Sequence, residues 1–337
     1  MIFTTAKEIQ TVSFGRPHVV ILGAGASRAA FPNGDRYGTK LPVMKDFVDV
    51  LGLRGELLKA GVSEDFDNFE LLFTKVALDP SLSELMVYVE TTISNYFSSL
   101  ELPDTPTIYD HLVLSLRPKD FIATFNWDPF LWNACARNYT FSTPPTILFL
   151  HGCVATAHCP KCKIVTTRFL HCKKCGSTLI PSPLLYPIQN KDYTLDPAIA
   201  AHWRTLDHAL KNAWTLTIFG YGAPHTDVEA IRLMKSAWGN VAERELEETE
   251  IIDVRSEKEL VDTWSPFIHT HHYRTALDFY DSLLAKHPRR TCEALWACLM
   301  DCQFLDQIDF PKAADFPELY SYLLPRLEAE NKKSGTQ

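Results

Sequence analysis

The chain has 337 residues, 46% hydrophobic and 22% charged, with a formal net charge of −8. That length suits one large α/β domain with insertions, or two domains, and the acidic balance gives no electrostatic reason to expect a nucleic-acid partner. No run approaches the roughly 20 apolar residues of a membrane span, and the opening MIFTTAKEIQTVSFGRP has no long apolar signal core, so a cytoplasmic protein away from membranes is expected.

The first strand is read at His18–Leu22. It runs into the glycine turn GAGAS at 23–27 and a short helix around Ser27. Strand, glycine turn and helix are the parts of a dinucleotide site, although Arg28 stands where a full G-x-G-x-x-G has its third glycine. Residues 31–42, FPNGDRYGTKLP, read as a loop. From Val43 to about Leu116 the apolar residues recur at three and four, which predicts a helical insertion over 45–116. Then come DFIATFNWD, TILFLHG, TLTIFGYG and TEIIDVR, short apolar runs ending at polar residues or glycine, as buried parallel strands do. Their alternation with helical stretches predicts an α/β fold with a Rossmann-like, doubly wound parallel sheet, its ligand site beyond the carboxyl ends of the strands. Asp253, at the end of TEII, is placed to accept from an adenosine ribose, or is an exposed turn carboxylate. After Val254, YRTALDFYDSLLAKH and TCEALWACLMDCQFL read as helical, with a C-terminal helical extension over 286–330. The final NKKSGTQ reads as frayed, and HTHHY at 269–273 as surface.

Two near-copies, HCPKC and HCKKC, interrupt the α/β pattern. Each sets two thiols two residues apart, the spacing of a knuckle that aims both sulfurs at one ion. Cys159, Cys162, Cys172 and Cys175 therefore read as the four ligands of a structural zinc ribbon over 155–181, with KIVTTRFL as a small hairpin between the halves. A closed set of four thiolates leaves no open coordination position, so the metal serves folding and not chemistry. His158 and His171 could each replace a ligand.

GAGAS, TFNWD, LHG and the paired C-x-x-C motifs, in that order, resemble the sirtuin superfamily over roughly residues 15–285. AAFPNGDRYGTKLP, NFELLF and FGYGAPHTD further resemble the sirtuin-like NAD-hydrolysing effectors of bacterial anti-phage defence. The resemblance implies a catalytic domain over 15–285 with NAD+ as its substrate. Gly23, Ala24, Gly25 and Ser27 would cradle the pyrophosphate, Asn126 would hold the nicotinamide ribose or a water, and Asp128 would meet the carboxamide. His151 would accept a proton, while Gly220 and Asp227 would line the ribose side. Asn126 and Asp128 could instead cap the helix starting near Pro129, His151 could be a loop histidine, and Asp227 could cap VEAIRLMKSAW; Ser182 is a weaker candidate.

The chain departs from protein-deacylating members at two places. RAAFPNGDRYGTKLP replaces the Gly-Ile-Pro-Asp-Phe-Arg stretch that follows their glycine turn. IPSPLLYPIQNKDY replaces their peptide-pairing Phe-Gly-Glu segment, and its prolines lack the donors that added-strand pairing uses. Water is then the expected acceptor, giving an NAD+ glycohydrolase that releases nicotinamide and ADP-ribose, with a lysine deacylase or a non-enzymatic NAD/ADP-ribose sensor as alternatives. Emptying an NAD+ pool demands restraint, so a homo-oligomer, a regulatory partner protein, or both are expected.

Overall fold

The computed structural model describes residues 2–334 apart from 14, 163, 168–169, 188–192, 195, 224–226, 241, 245, 269–271 and 307–309. Much of the HTHHY run and the last three residues lie outside the described residues.

HVVIL forms β1 (His18–Leu22), with all five residues buried. On one side lie β2 (Phe121–Thr124) and β3 (Thr146–Phe149). On the other lie β4 (Thr215–Phe219), β5 (Glu248–Ile252) and β6 (Tyr273–Ala276). The order is β3-β2-β1-β4-β5-β6 and every pairing is parallel. This is the doubly wound order, whose winding reverses between β1 and β4.

Both faces of the sheet are covered, which is why HVVIL reads as an apolar run and why the Thr and Glu side chains of TLTIF and ETEII are buried as well. Val20, Leu22 and Ile122 face one way, against Phe47, Phe69, Phe73, Ile93 and Phe97. The stretch read as a helical insertion thus shares one continuous core with the sheet. Val19, Ile21 and Ile218 face the opposite way, against helices Pro197–Asn212, Val228–Trp238 and Glu257–Trp264.

Two segments differ from expectation. YRTA, read as the start of a helix, is the edge strand β6, paired through Tyr273↔Thr249 to Ala276↔Ile252. Tyr and β-branched Thr suit a pleated surface. The three-residue spacing of Ala276 and Phe279 that looked helical comes from a strand passing into a 3-10 turn, both residues reaching the same core. Secondly, NKKS is not frayed, because the last helix spans Phe316–Ser334. It is held at Glu330, which accepts from Arg289 Nη2 and Arg290 Nη1 at 2.6 Å each. Arg290 is fully buried and also donates to Ile9 O and Arg326 O, tying the helix to the amino-terminal segment.

Removing one partner of such a buried cluster leaves uncompensated charge. Glu330→Ala is therefore expected to destabilise the fold by about 3–5 kcal/mol, read as a lower midpoint of urea unfolding with an unchanged slope.

Candidate functional site

The turns after β1 and β4 pass so closely that side chains cannot fit between them. A Cβ on Gly23 would lie 2.5 Å from Tyr221 Cα, one on Gly25 2.8 Å from Gly220 Cα, and one on Gly220 2.2 Å from Ala26 N. Gly220 also has φ +60°, in the left-handed region. The glycines of GAGAS thus answer first to protein backbone. Their N–H groups do too, since Gly23 N–H donates to Phe219 O at 3.1 Å and Gly25 N–H to Gly220 O at 2.9 Å. The Ala24 N–H, first in the helix Ala24–Ala30, has no protein partner among the described residues.

Over this crossing lies a cavity of about 990 Å³. It runs across the sheet from His151, beyond β3, past Asn126 and the two glycine turns, to Asp253 and Arg255 beyond β5. Leu41 and Met44, from the segment leading into the helical part of the chain, and Phe47 and Phe97, from its helices, close it on the other side. The structure brings together Gly23, Ala24, Gly25, Ser27, Asn126, Asp128, His151, Gly220, Asp227 and Asp253, all of which line this one space.

A buried network fixes Asn126. Its Nδ2 donates to Gly23 O and to Ser27 Oγ, both at 2.9 Å, with Tyr109 OH at 3.2 Å. Gly23 O can only accept, so the NH2 of the amide must face inward and Oδ1 is the atom turned to the cavity. Asn126 consequently offers an acceptor. Ser27 Oγ donates to Asp128 Oδ2 at 2.6 Å and lies 2.6 Å from Tyr109 OH. Asp128 Oδ1 also accepts Phe130 N–H at 3.2 Å, so the turn before the helix Phe130–Asn138 and the cavity share this carboxylate. Burial pushes Asp128 from 3.8 up to about 6, and burial together with the neighbouring Asp128 pushes the Tyr109 hydroxyl well above its ordinary value.

His151 sits in the turn after β3. Gly152 follows it at φ +81°, where a Cβ would stand 1.9 Å from Pro183 O. The chain returning from the cysteine module is seated there, and Leu185 N–H donates to His151 O at 2.9 Å. The imidazole meets Phe125 edge-on at 4.8 Å, Phe125 stacks on Tyr221 at 4.2 Å, and Nε2 lies 3.3 Å from Tyr193 OH. Asp227 makes no capping bond to the helix Val228–Trp238, and its carboxylate accepts Tyr221 OH at 2.8 Å. Asp253 is paired with Arg255. Ser182 lies away from this space, bonded to Thr156 Oγ1 at 2.9 Å. Tyr109, Tyr193 and Arg255 carried no sequence signal beyond that of ordinary core or surface residues, and Tyr221 was marked only as part of FGYGAPHTD.

The four sulfurs of Cys159, Cys162, Cys172 and Cys175 lie within 4.8 Å of one another, with Cys159 and Cys175 at 3.5 Å. Tetrahedral zinc–thiolate bonds of about 2.3 Å set sulfurs about 3.8 Å apart, so the four residues fit a structural zinc ion. His158 and His171 are not in the cluster. The expected hairpin pairs differently, Val165–Thr167 joining Thr156–His158 in an antiparallel sheet that also holds Ile180–Pro181. No cysteine of the four lines the cavity.

No protein-family model and no curated protein sequence matches the chain. In structure it is similar to Sir2 homologues. One is a Sir2 homologue S24A mutant–ADP ribose complex, at 12% identity and TM-score 0.46, covering 86% of this chain and 96% of that one. Another is a Sir2 homolog–NAD complex, at 14% identity and TM-score 0.41, covering 87% and 93%. Among the described residues, no helix is long and apolar enough to cross a membrane.

Metal analysis of the purified chain is expected to find about one zinc ion per molecule. Cys172→Ser with Cys175→Ser should lose it and melt at lower temperature, since binding energy of a structural zinc is folding energy. A second expectation concerns Asp128. Between about pH 4 and 6 the folded chain keeps a proton there that the unfolded chain has released, so this carboxylate weighs against folding as pH rises through that window. The full penalty, roughly 3 kcal/mol, is present above pH 6. Asp128→Asn should therefore unfold at higher urea than the wild type at pH 8, with the difference vanishing near pH 4. Equal midpoints at pH 8 would contradict it.

Proposed function

We propose that this cavity binds NAD+ and that the protein hydrolyses the nicotinamide–ribose bond, releasing nicotinamide, ADP-ribose and a proton. The observation that carries this reading is that Asn126, with Oδ1 turned to the cavity, and His151 line one end of a single space that continues over the strand tips to Asp253. Nicotinamide departs as a neutral ring, so no acid is required to expel it, and positive charge grows on the ribose that remains. An acceptor oxygen fixed toward that sugar favours the transition state over the ground state. Asn126 is such an acceptor, oriented before the substrate arrives by Gly23 O, Ser27 and Tyr109. His151 takes the proton of the attacking water, or of a ribose hydroxyl, while Phe125 and Tyr193 fix the ring's position. Apolar Phe47, Phe97 and Trp127 border the same space and suit the leaving ring. Ala24 N–H, beside the glycine crossing, is in position for the pyrophosphate.

Hydrolysis is favoured over deacylation by what lies next to His151. Leu185 lines the cavity and its N–H is already bonded to His151 O. The chain's own segment, with Pro183 and Pro187, thus occupies the flank where a substrate peptide would pair as an added strand. We assign residues 15–285 to the catalytic domain, with 45–116 its helical part, 155–181 its zinc ribbon and 286–330 a helical extension. A chain that destroys NAD+ must be held inactive until needed. That requirement fits an effector of bacterial anti-phage defence restrained by self-association or by a partner protein.

Chromatography of NAD+ incubated with the purified chain should show nicotinamide and ADP-ribose in equal amounts. Asn126→Ala and His151→Ala, each retaining zinc, should lower kcat by at least about 100-fold. Turnover appearing only when an acetylated peptide is added would favour the deacylase. Tight NAD+ binding without turnover under either condition would favour a sensor.

A further inference from the structure

The far end of the cavity carries a charged pair that the chemistry at Asn126 and His151 does not use. Arg255 donates from Nε to Asp253 Oδ1 at 3.2 Å and from Nη2 to Oδ2 at 3.0 Å, and its own N–H reaches Oδ1 at 3.0 Å. This fork occupies one edge of the guanidinium. Nη1 has no protein partner among the described residues, and the arginine side chain keeps 30% of its exposure. Val254, between them, is 87% exposed and lines the same rim with an apolar side chain.

Sheet geometry says what part of a dinucleotide would lie there. Neighbouring strands are about 4.8 Å apart, so the tips of β2 and β5, three places apart in β2-β1-β4-β5, are roughly 14 Å from one another. With the nicotinamide ribose at Asn126 and the pyrophosphate over the β1–β4 crossing, the adenosine ribose falls at Asp253 and Arg255. A lone acidic residue at an adenosine ribose accepts the 2′-hydroxyl and repels a 2′-phosphate, while an arginine there accommodates the phosphate. Here the two are joined. Asp253 keeps lone pairs for a hydroxyl with its charge compensated, and Arg255 keeps Nη1 donors for a phosphate. Cations are scarce along the wall, which leaves Arg255 as the phosphate donor at this end. The lining carboxylates are Glu70, Asp128, Asp227 and Asp253, and among the described residues only Lys45 and Arg255 line the cavity with positive charge.

We propose, building on the NAD+ reading above, that the Asp253–Arg255 pair reads the adenosine 2′ position and admits both forms of the dinucleotide, so that NADP+ is a substrate alongside NAD+. The bond broken is the same. Water adds to the nicotinamide ribose, nicotinamide leaves, and a proton is released, with the 2′-phosphate retained on the ADP-ribose product.

The test measures kcat/KM for NAD+ and NADP+ in the full chain, in Arg255→Ala and in Asp253→Asn. Alongside it, calorimetry measures binding of ADP-ribose and of 2′-phospho-ADP-ribose, which needs no turnover. The wild type is expected to use NADP+ within about tenfold of NAD+. Arg255→Ala should lower the NADP+/NAD+ ratio by at least about tenfold, because Asp253 then faces the phosphate uncompensated, and Asp253→Asn should raise it. Ratios unchanged in both variants overturn the proposal. So does a wild type that hydrolyses NAD+ yet neither hydrolyses NADP+ nor binds the phosphorylated product. Variant-dependent binding of the two ADP-riboses without any turnover would sustain the pair's role and remove the hydrolase reading, whereas binding of neither removes both.

Discussion

A Cβ on Gly220 would stand 2.2 Å from the amide nitrogen of Ala26, and one on Gly23 2.5 Å from Tyr221 Cα. That contact between two strand-to-helix turns lies where the winding of the sheet reverses, the point at which open α/β sheets leave a crevice. It consumes the N–H groups of Gly23 and Gly25, so the turn is held rigidly and little of its backbone is left for a ligand. It also fixes Gly23 O, the acceptor-only atom that decides which way the Asn126 amide points. A side chain at position 23, 25 or 220 would push the turns apart and release Asn126.

The cavity wall is held by polar groups that fold at some expense. Asp128 is almost fully buried and accepts from Ser27, which in turn is bonded to Tyr109. A hydrocarbon pair of equal shape would avoid the desolvation of that carboxylate. Keeping a raised acid in a cleft, beside an oriented amide, is the pattern expected where binding or chemistry outweighs stability. The ion cluster around Glu330 differs in kind. It does not line this cavity, joins the amino-terminal segment and the last helix to the sheet domain, and reads as architecture.

The sheet was legible in the sequence because its strands are buried on both faces. HVVIL is apolar after its first residue, TLTIF and ETEII bury their Thr and Glu side chains along with their apolar ones, and each strand stops at the glycine or carboxylate that borders the cavity. β6 was not legible: four residues at an edge, running straight into a 3-10 turn, imitate helical spacing. The cysteine cluster was legible since its ligands are local, two residues apart. Tyr109 was not, because its value comes from Ser27, 82 positions away, and a tyrosine within a helical period looks like ordinary core. Arg255 was hidden for the opposite reason, being a charged residue in an exposed turn. Asp227 shows a local rule overruled, its carboxylate turned from the helix it precedes to Tyr221 OH. The last helix rests on contacts such as Arg290 with Glu330, 40 positions apart, which no local pattern encodes.

A crystal structure of the His151→Ala chain with NAD+ tests the central claim most directly. The account predicts one dinucleotide lying across the strand tips, with its nicotinamide ribose against Asn126 Oδ1, its pyrophosphate over the β1–β4 crossing and its adenosine at Val254. A dinucleotide bound in the reverse direction, or away from Asn126, would contradict it.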